Sequence, residues 1–151
     1  MELVNEKLHE YVDKMKAAAP ESEFNVLIQF HPITPSIVEH SKAQGGNMMG
    51  LEPHVADGPL LNWLIVLTVD TPGNQEKILP LGIEYRDTLE METAEMGVLK
   101  EPIYLNYAWM DQNPIASYGA ENIAFLKETA AKFDPKGVFQ KLRRSGFKIP
   151  A

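Results

Sequence analysis

Tyr104 and Asn106, spaced two residues apart, and His31 at the end of an alternating run are the side chains of this chain best suited to chemistry. A phenol and an amide on one face can bind a carbonyl or enol oxygen and stabilise negative charge that develops there. An imidazole is the group here that titrates near neutrality unaided, which makes His31 the natural general base or hydrogen-bond donor. These three are the candidate catalytic residues. The competing reading is structural: His31 packed at a strand end before Pro32, and Tyr104 bonded to backbone. Leu27 and Gln29 share the alternation of His31 and make a mixed face that suits a pocket wall. Asn47, Met49, Trp63 and Trp109 are the other candidate substrate-binding residues, an amide and three apolar walls. Methionine adapts its shape to irregular ligands, whereas Trp63 and the methionines also fit an ordinary core.

The remaining histidines, His9, His40 and His54, share no ligand spacing with one another or with His31, so no metal is expected. The 151 residues contain no cysteine, which removes disulfides, thiolate nucleophiles and thiolate metal sites together. A net charge of -7 argues against nucleic acid or an anionic membrane as partner. The longest apolar run, Leu60 to Val69, is interrupted by Asn62 and is too short to span a bilayer. The acidic, amphipathic start Met1-Glu-Leu-Val-Asn-Glu-Lys is unlike a signal peptide, so a cytoplasmic protein is expected.

The elements that must position these groups follow from periodicity. Val4, Leu8, Tyr11, Val12 and Met15 recur at helical spacing until Ala17-Ala-Ala-Pro20 ends the pattern. Phe24 to His31 alternates as a strand, after which Pro32 and Pro35 predict an irregular passage with a short helical turn over 36–41. Gly45-Gly-Asn-Met-Met-Gly-Leu51 is read as a glycine-bearing strand that lets another backbone or a flat ligand approach. Leu61 to Asp70 is apolar on both faces and reads as a central strand. A long helix is predicted from Asn74 to Lys100, kinked or restarted at Pro80. Ile103 to Tyr107 is predicted as a short strand with Tyr104 and Asn106 on one face and Ile103, Leu105 and Tyr107 on the other. A last helix, Tyr118 to Phe133, is expected to bury Ile123, Leu126, Ala130 and Phe133, and Gly137 to let Val138 and Phe139 tuck back. The order predicts one α+β domain, residues 1–151, with an antiparallel sheet of about four strands and helices on one face. Its bare sheet face and edge predict a homodimer through the sheet, enclosing a pocket for a hydrophobic small molecule.

Three segments carry a family resemblance: Tyr104-Leu-Asn-Tyr-Ala, Ser117-Tyr-Gly-Ala-Glu-Asn122 and Phe133-Asp-Pro-Lys-Gly-Val-Phe139-Gln140. Together they resemble the C-terminal end of fungal FAD-linked oxidoreductases of the berberine-bridge type, in the vanillyl-alcohol oxidase superfamily. Gln44 to Leu51 is similar to the Gly-Gly-Asn strand of that family's substrate domain. The resemblance covers roughly residues 24–149 and implies the second half of a substrate domain plus its C-terminal tail, without the flavin-binding half. It implies that Tyr104 and Asn106 face flavin and substrate in that family. Ala108-Trp-Met-Asp111 departs from the usual small and acidic run, and its bulk favours a greasy ligand. The function expected is a cofactor-free enzyme of secondary metabolism that cyclises or isomerises a hydrophobic polyketide or terpenoid-like intermediate, pericyclic chemistry included. Two alternatives stand beside it: a fragment or subunit of an FAD-dependent oxidoreductase that completes its flavin site with a partner, and a non-catalytic metabolite-binding module.

Overall fold

The computed structural model describes residues 2–150. Its elements run α1 (Glu2–Ala18), β1 (Phe24–Ile33), α2 (Pro35–Ala43), β2 (Leu60–Val69), α3 (Pro72–Glu95), α4 (Ala120–Phe133) and α5 (Val138–Lys141), with short 3-10 turns between. The class is α+β, as expected, but the sheet is a two-stranded antiparallel pair of β1 and β2. The chain forms two compact units, one of residues up to Phe30 with Trp63–Leu99, the other of His31–Asn62 with the residues from Lys100 onward.

The first unit follows the periodicity closely. Tyr11 and Met15 are buried on α1, and Ile78, Tyr85 and Leu89 on α3. Phe24, Val26 and Ile28 of β1 and Trp63, Ile65, Leu67 and Val69 of β2 pack onto that cluster. The alternate residues of β1, Asn25, Leu27 and Gln29, are exposed. The ring of Tyr11 lies 5.2 Å from that of Tyr85, and the Tyr85 hydroxyl donates to Val4 O at 2.9 Å. Gly82 permits the close contact of α3 with β2, since a Cβ there would lie 3.2 Å from Leu67 Cδ2. Helix α3 starts where Thr71 Oγ1 accepts from Asn74 N at 3.2 Å and Pro72 takes the first helical position. It runs through Pro80 as one helix of 24 residues, without the predicted restart, and stops at Glu95 short of the predicted Lys100. Gly97, at φ +71, turns the chain out. Asp70 ties the loop before β1 to the start of α3: its carboxylate accepts from Ser22 Oγ at 2.7 Å, Glu23 N at 3.3 Å and Asn74 Nδ2 at 3.0 Å.

The second unit departs from the expected elements at several places. Pro32 stays within β1 instead of breaking it, because a two-stranded sheet has only edge strands, where a missing N–H can be tolerated. Thr34 Oγ1 then accepts from Ile37 N at 3.3 Å and starts α2, a helix of 9 residues where a short turn was expected. Residues 45–51 are a loop, not a strand. Gly45, Gly46 and Gly50 have φ of +105, +84 and +65, which no strand ladder accepts, and Asn47 Oδ1 closes a local turn by accepting from Met49 N at 2.9 Å. Residues 103–107 likewise pair with no strand: Tyr107 N donates to Tyr104 O at 2.9 Å, winding Leu105–Tyr107 into a 3-10 turn. The four-strand expectation therefore reduces to two strands among the described residues.

Val38, Leu51 and Val55 form a small core in this unit, with Ile33, Met49 and Leu60 packed on it. Helix α4 begins two residues later than predicted, after Gly119 at φ +86, and buries no residue fully. Phe133 and Phe139 are 75% and 68% exposed, so neither makes the expected apolar anchor. The chain beyond α4 is organised by polarity instead. The Asp134 carboxylate accepts from Val138 N at 2.8 Å and Phe139 N at 2.9 Å, which starts α5 with no apolar contact required.

Candidate functional site

The 3-10 turn that replaces the predicted strand decides the geometry of the candidate site. With about three residues per turn, positions 104 and 107 fall on one side of the backbone. The Tyr104 and Tyr107 rings accordingly meet edge to face, centroids 4.8 Å apart at 89°. Tyr107 also contacts His31, with ring centroids 5.5 Å apart and tilted by 56°. Asn106 Nδ2 donates to the Tyr104 hydroxyl oxygen at 2.7 Å. That bond occupies an acceptor position of the phenol and leaves its own proton to donate outward. His31, Tyr104 and Asn106 thus belong to one cluster in the second unit, joined through Tyr107. A strand would put Tyr107 on the face opposite Tyr104; the i,i+3 spacing of the two tyrosines is the sequence signal for the turn instead.

The turn is fastened from behind. Ile103 N donates to Ser117 Oγ at 2.9 Å, and Ser117 Oγ donates to Pro114 O at 2.6 Å. Pro114, Ile115 and Tyr118 are buried. Burial raises the Tyr118 phenol above the usual tyrosine range, a hydrogen bond with the Leu105 backbone opposes that shift, and the neighbouring Tyr104 adds to it. Behind Tyr118 stands the loop of residues 45–51: a Cβ at Gly50 would lie 2.9 Å from Tyr118 O, which also accepts from Asn122 Nδ2 at 2.9 Å.

The other predicted site residues lie elsewhere. Asn47 donates to Ser41 Oγ at 3.3 Å and closes its own turn. Met49 packs on the Val38 cluster. Trp109 is exposed, and its backbone N–H donates to Gln112 Oε1 at 2.9 Å. Leu27 and Gln29 are exposed on the first unit, whereas Trp63 faces that unit's core. A shallow groove of about 430 Å³ beside α4 is lined by Met48, Glu121, Asn122, Ala124, Phe125 and Glu128. Among the described residues no group of three His, Cys, Asp or Glu could hold a metal ion, and no helix is long and apolar enough to cross a membrane.

Nearly the whole chain is similar to FAD-dependent monooxygenases of fungi. It is 37% identical to one from Emericella nidulans over 142 residues, 94% of this chain and 29% of that protein. It is 34% identical to one from Cochliobolus heterostrophus over 154 residues, 97% of this chain and 28% of that protein. A bifunctional solanapyrone synthase of Alternaria solani is 31% identical over 147 residues, 93% of this chain and 26% of the synthase. The chain thus spans less than a third of the length of these curated relatives. No protein-family profile matches it, and no solved structure does.

Neither the glycine pair of the 45–51 loop nor the groove beside α4 suits the diphosphate of FAD. Converging backbone N–H groups at a helix start favour a diphosphate. Gly45 and Gly46 instead follow the C-terminal end of α2, where carbonyls converge and the helix dipole is negative. The groove beside α4 carries two carboxylates, Glu121 and Glu128, which repel phosphate.

Proposed function

We propose that this chain supplies the substrate-facing, hydrogen-bonding part of an FAD-linked oxidoreductase of berberine-bridge type, acting in the cytosol on a hydrophobic secondary metabolite. The diphosphate is then held by polypeptide outside these 151 residues. The observation that carries this reading is coverage: 94% of the chain aligns with 29% of a relative named for its FAD dependence. In this role Tyr104, backed by Asn106, donates to a carbonyl or phenolate oxygen of the metabolite. His31 is the base within reach of the same aromatic cluster. A chimera tests it directly: residues 2–150 replace the matching segment of the Emericella nidulans monooxygenase. Flavin retention with turnover that falls on Tyr104→Phe supports the reading; retained flavin with turnover indifferent to Tyr104→Phe and His31→Ala sinks the assigned roles.

A second reading has its own support. One relative is named a bifunctional synthase, and the polar cluster here assembles within one unit from this chain's own side chains. On that reading the chain needs no cofactor: it holds a polyketide or terpenoid-like intermediate in a reactive conformation, and the Tyr104 hydrogen bond polarises it toward cyclisation or isomerisation. The exposed side of β1, with Leu27 45% accessible, is then covered by a second copy. A colourless protein that enriches one cyclised stereoisomer, with a light-scattering mass of twice 16.9 kDa, distinguishes this reading from the first.

A further inference from the structure

Tyr104 can serve as a directed hydrogen-bond donor only if its backbone is held, yet the turn that carries it is exposed at Leu105, Asn106 and Tyr107. Within that turn the backbone closes through Tyr107 N to Tyr104 O at 2.9 Å and a longer bond of 3.4 Å from Ala108 N to Leu105 O. Two attachments come from outside the turn: the buried Tyr118 phenol shares a hydrogen bond with the Leu105 backbone, and a second lies one residue upstream of Tyr104. Ser117 Oγ accepts from Ile103 N at 2.9 Å and donates to Pro114 O at 2.6 Å, so one hydroxyl is satisfied in both directions. Ser117 N adds a bond to Pro114 O at 3.1 Å. The segment Pro114–Tyr118 is mostly buried, and the tight approach of Gly50 and the Asn122 amide lock its end.

We propose that Ser117 is the positioning residue of Tyr104: its hydroxyl transmits the rigidity of the buried Pro114–Tyr118 turn to the exposed turn that presents the phenol. The inference deepens the functional reading, because it gives Ser117 a purpose only if Tyr104 is the group that meets substrate. The Ser117-Tyr-Gly segment then acts through the Tyr104-Leu-Asn-Tyr segment.

The test needs no substrate. In the full chain, 3-fluorotyrosine is placed at position 104 and its 19F resonance compared in Ser117, Ser117→Ala, Ser117→Thr and Asn106→Ala proteins, with amide exchange read at Ile103. Ser117→Ala is expected to broaden or shift the resonance as Asn106→Ala does and to speed Ile103 exchange by roughly tenfold or more. Ser117→Thr, which keeps the hydroxyl, is expected to restore both. A resonance and an exchange rate unchanged by Ser117→Ala overturn the proposal, as does failure of threonine to restore them. If Ser117→Ala does not fold, the unaltered chain decides: Ile103 must exchange more slowly than the amide of the exposed residue Glu101, and equal rates overturn the proposal. A chimera without turnover would remove the functional reading while leaving this measurement intact.

Discussion

The side-chain amide of Asn106 donates a 2.7 Å hydrogen bond to the phenol oxygen of Tyr104, two residues earlier on the same exposed turn. The amide sets the direction of the phenolic proton and strengthens it as a donor. Tyr104→Phe is expected to lower turnover about 100-fold in the chimera, within the range for removal of one preorganised oxyanion donor. Asn106→Ala should cost less, about tenfold, because the phenol remains and only its partner is lost. Steady-state rates on the relative's substrate measure both, and a larger loss at Asn106 would reverse the assignment.

Tyr85 joins α1 to α3 through burial and its bond to Val4 O. Tyr85→Ala should destabilise by about 3–5 kcal/mol, as large aromatic truncations in cores do. Tyr85→Phe should cost about 1 kcal/mol, since only the hydrogen bond goes. Burial pushes the Tyr85 phenol up to about 12 from an ordinary 10.0. The fold therefore excludes the phenolate. The stability this implies is complete below pH 10.0 and is lost as pH rises toward about 12. Urea midpoints from pH 9 to 12 should fall in the parent and fall less in Tyr85→Phe.

Asp70 behaves in the opposite sense. The side chains of Asn74 and Ser22, with the backbone N–H groups of Glu23 and Thr71, lower its carboxyl from 3.8 to about 2. Its contribution is present above pH 3.8 and is lost as pH falls through about 2. Asp70→Ala should lower the denaturant midpoint at neutral pH and flatten the acid limb of the stability curve. An acid limb of unchanged slope would show that the carboxylate does not hold this corner.

Gly50 and Gly45 offer a matched contrast. Both have positive φ, but a Cβ at Gly50 meets Tyr118 O at 2.9 Å, whereas nothing lies within 4 Å of one at Gly45. Gly45→Ala should cost about 1–2 kcal/mol from the left-handed backbone alone. Gly50→Ala should cost clearly more, since rigid backbone has to move. Thermal melts of the two variants compare the costs, and equal losses would mean the Gly50 contact is slack.

Legibility in the sequence tracked the length of the repeating signal. The 17-residue α1 and the ten-residue β1 carry several periods each, and their apolar faces landed where the spacing put them. Strand β2, apolar on both faces, is an edge of a two-stranded sheet and not the expected central strand, because no further strand pairs with it among the described residues. Residues 45–51 and 103–107 are too short for a period to discriminate. In the first, positive-φ glycines and the Asn47 turn prevailed over strand pairing; in the second, a 3-10 turn imposed a period of three where two had been read. That change explains why Tyr104, Asn106 and His31 could be picked out by residue type while Tyr107, which joins them, was assigned to the wrong side. Phe133 and Phe139 follow a buried pattern, but Asp134 orders the chain between them with backbone hydrogen bonds, so local structure forms without their apolar contacts.

The tight fit of Gly50 also leaves an evolutionary signature. Of the three glycines in its loop, it is the one that drift should spare most consistently in any orthologue that keeps the tyrosine carbonyl opposite, while Gly45 and Gly46, with open space around them, are held to glycine by their backbone angle alone. Selection at that residue would record a steric demand for the absence of a methyl group, independent of whatever chemistry the neighbouring phenols perform.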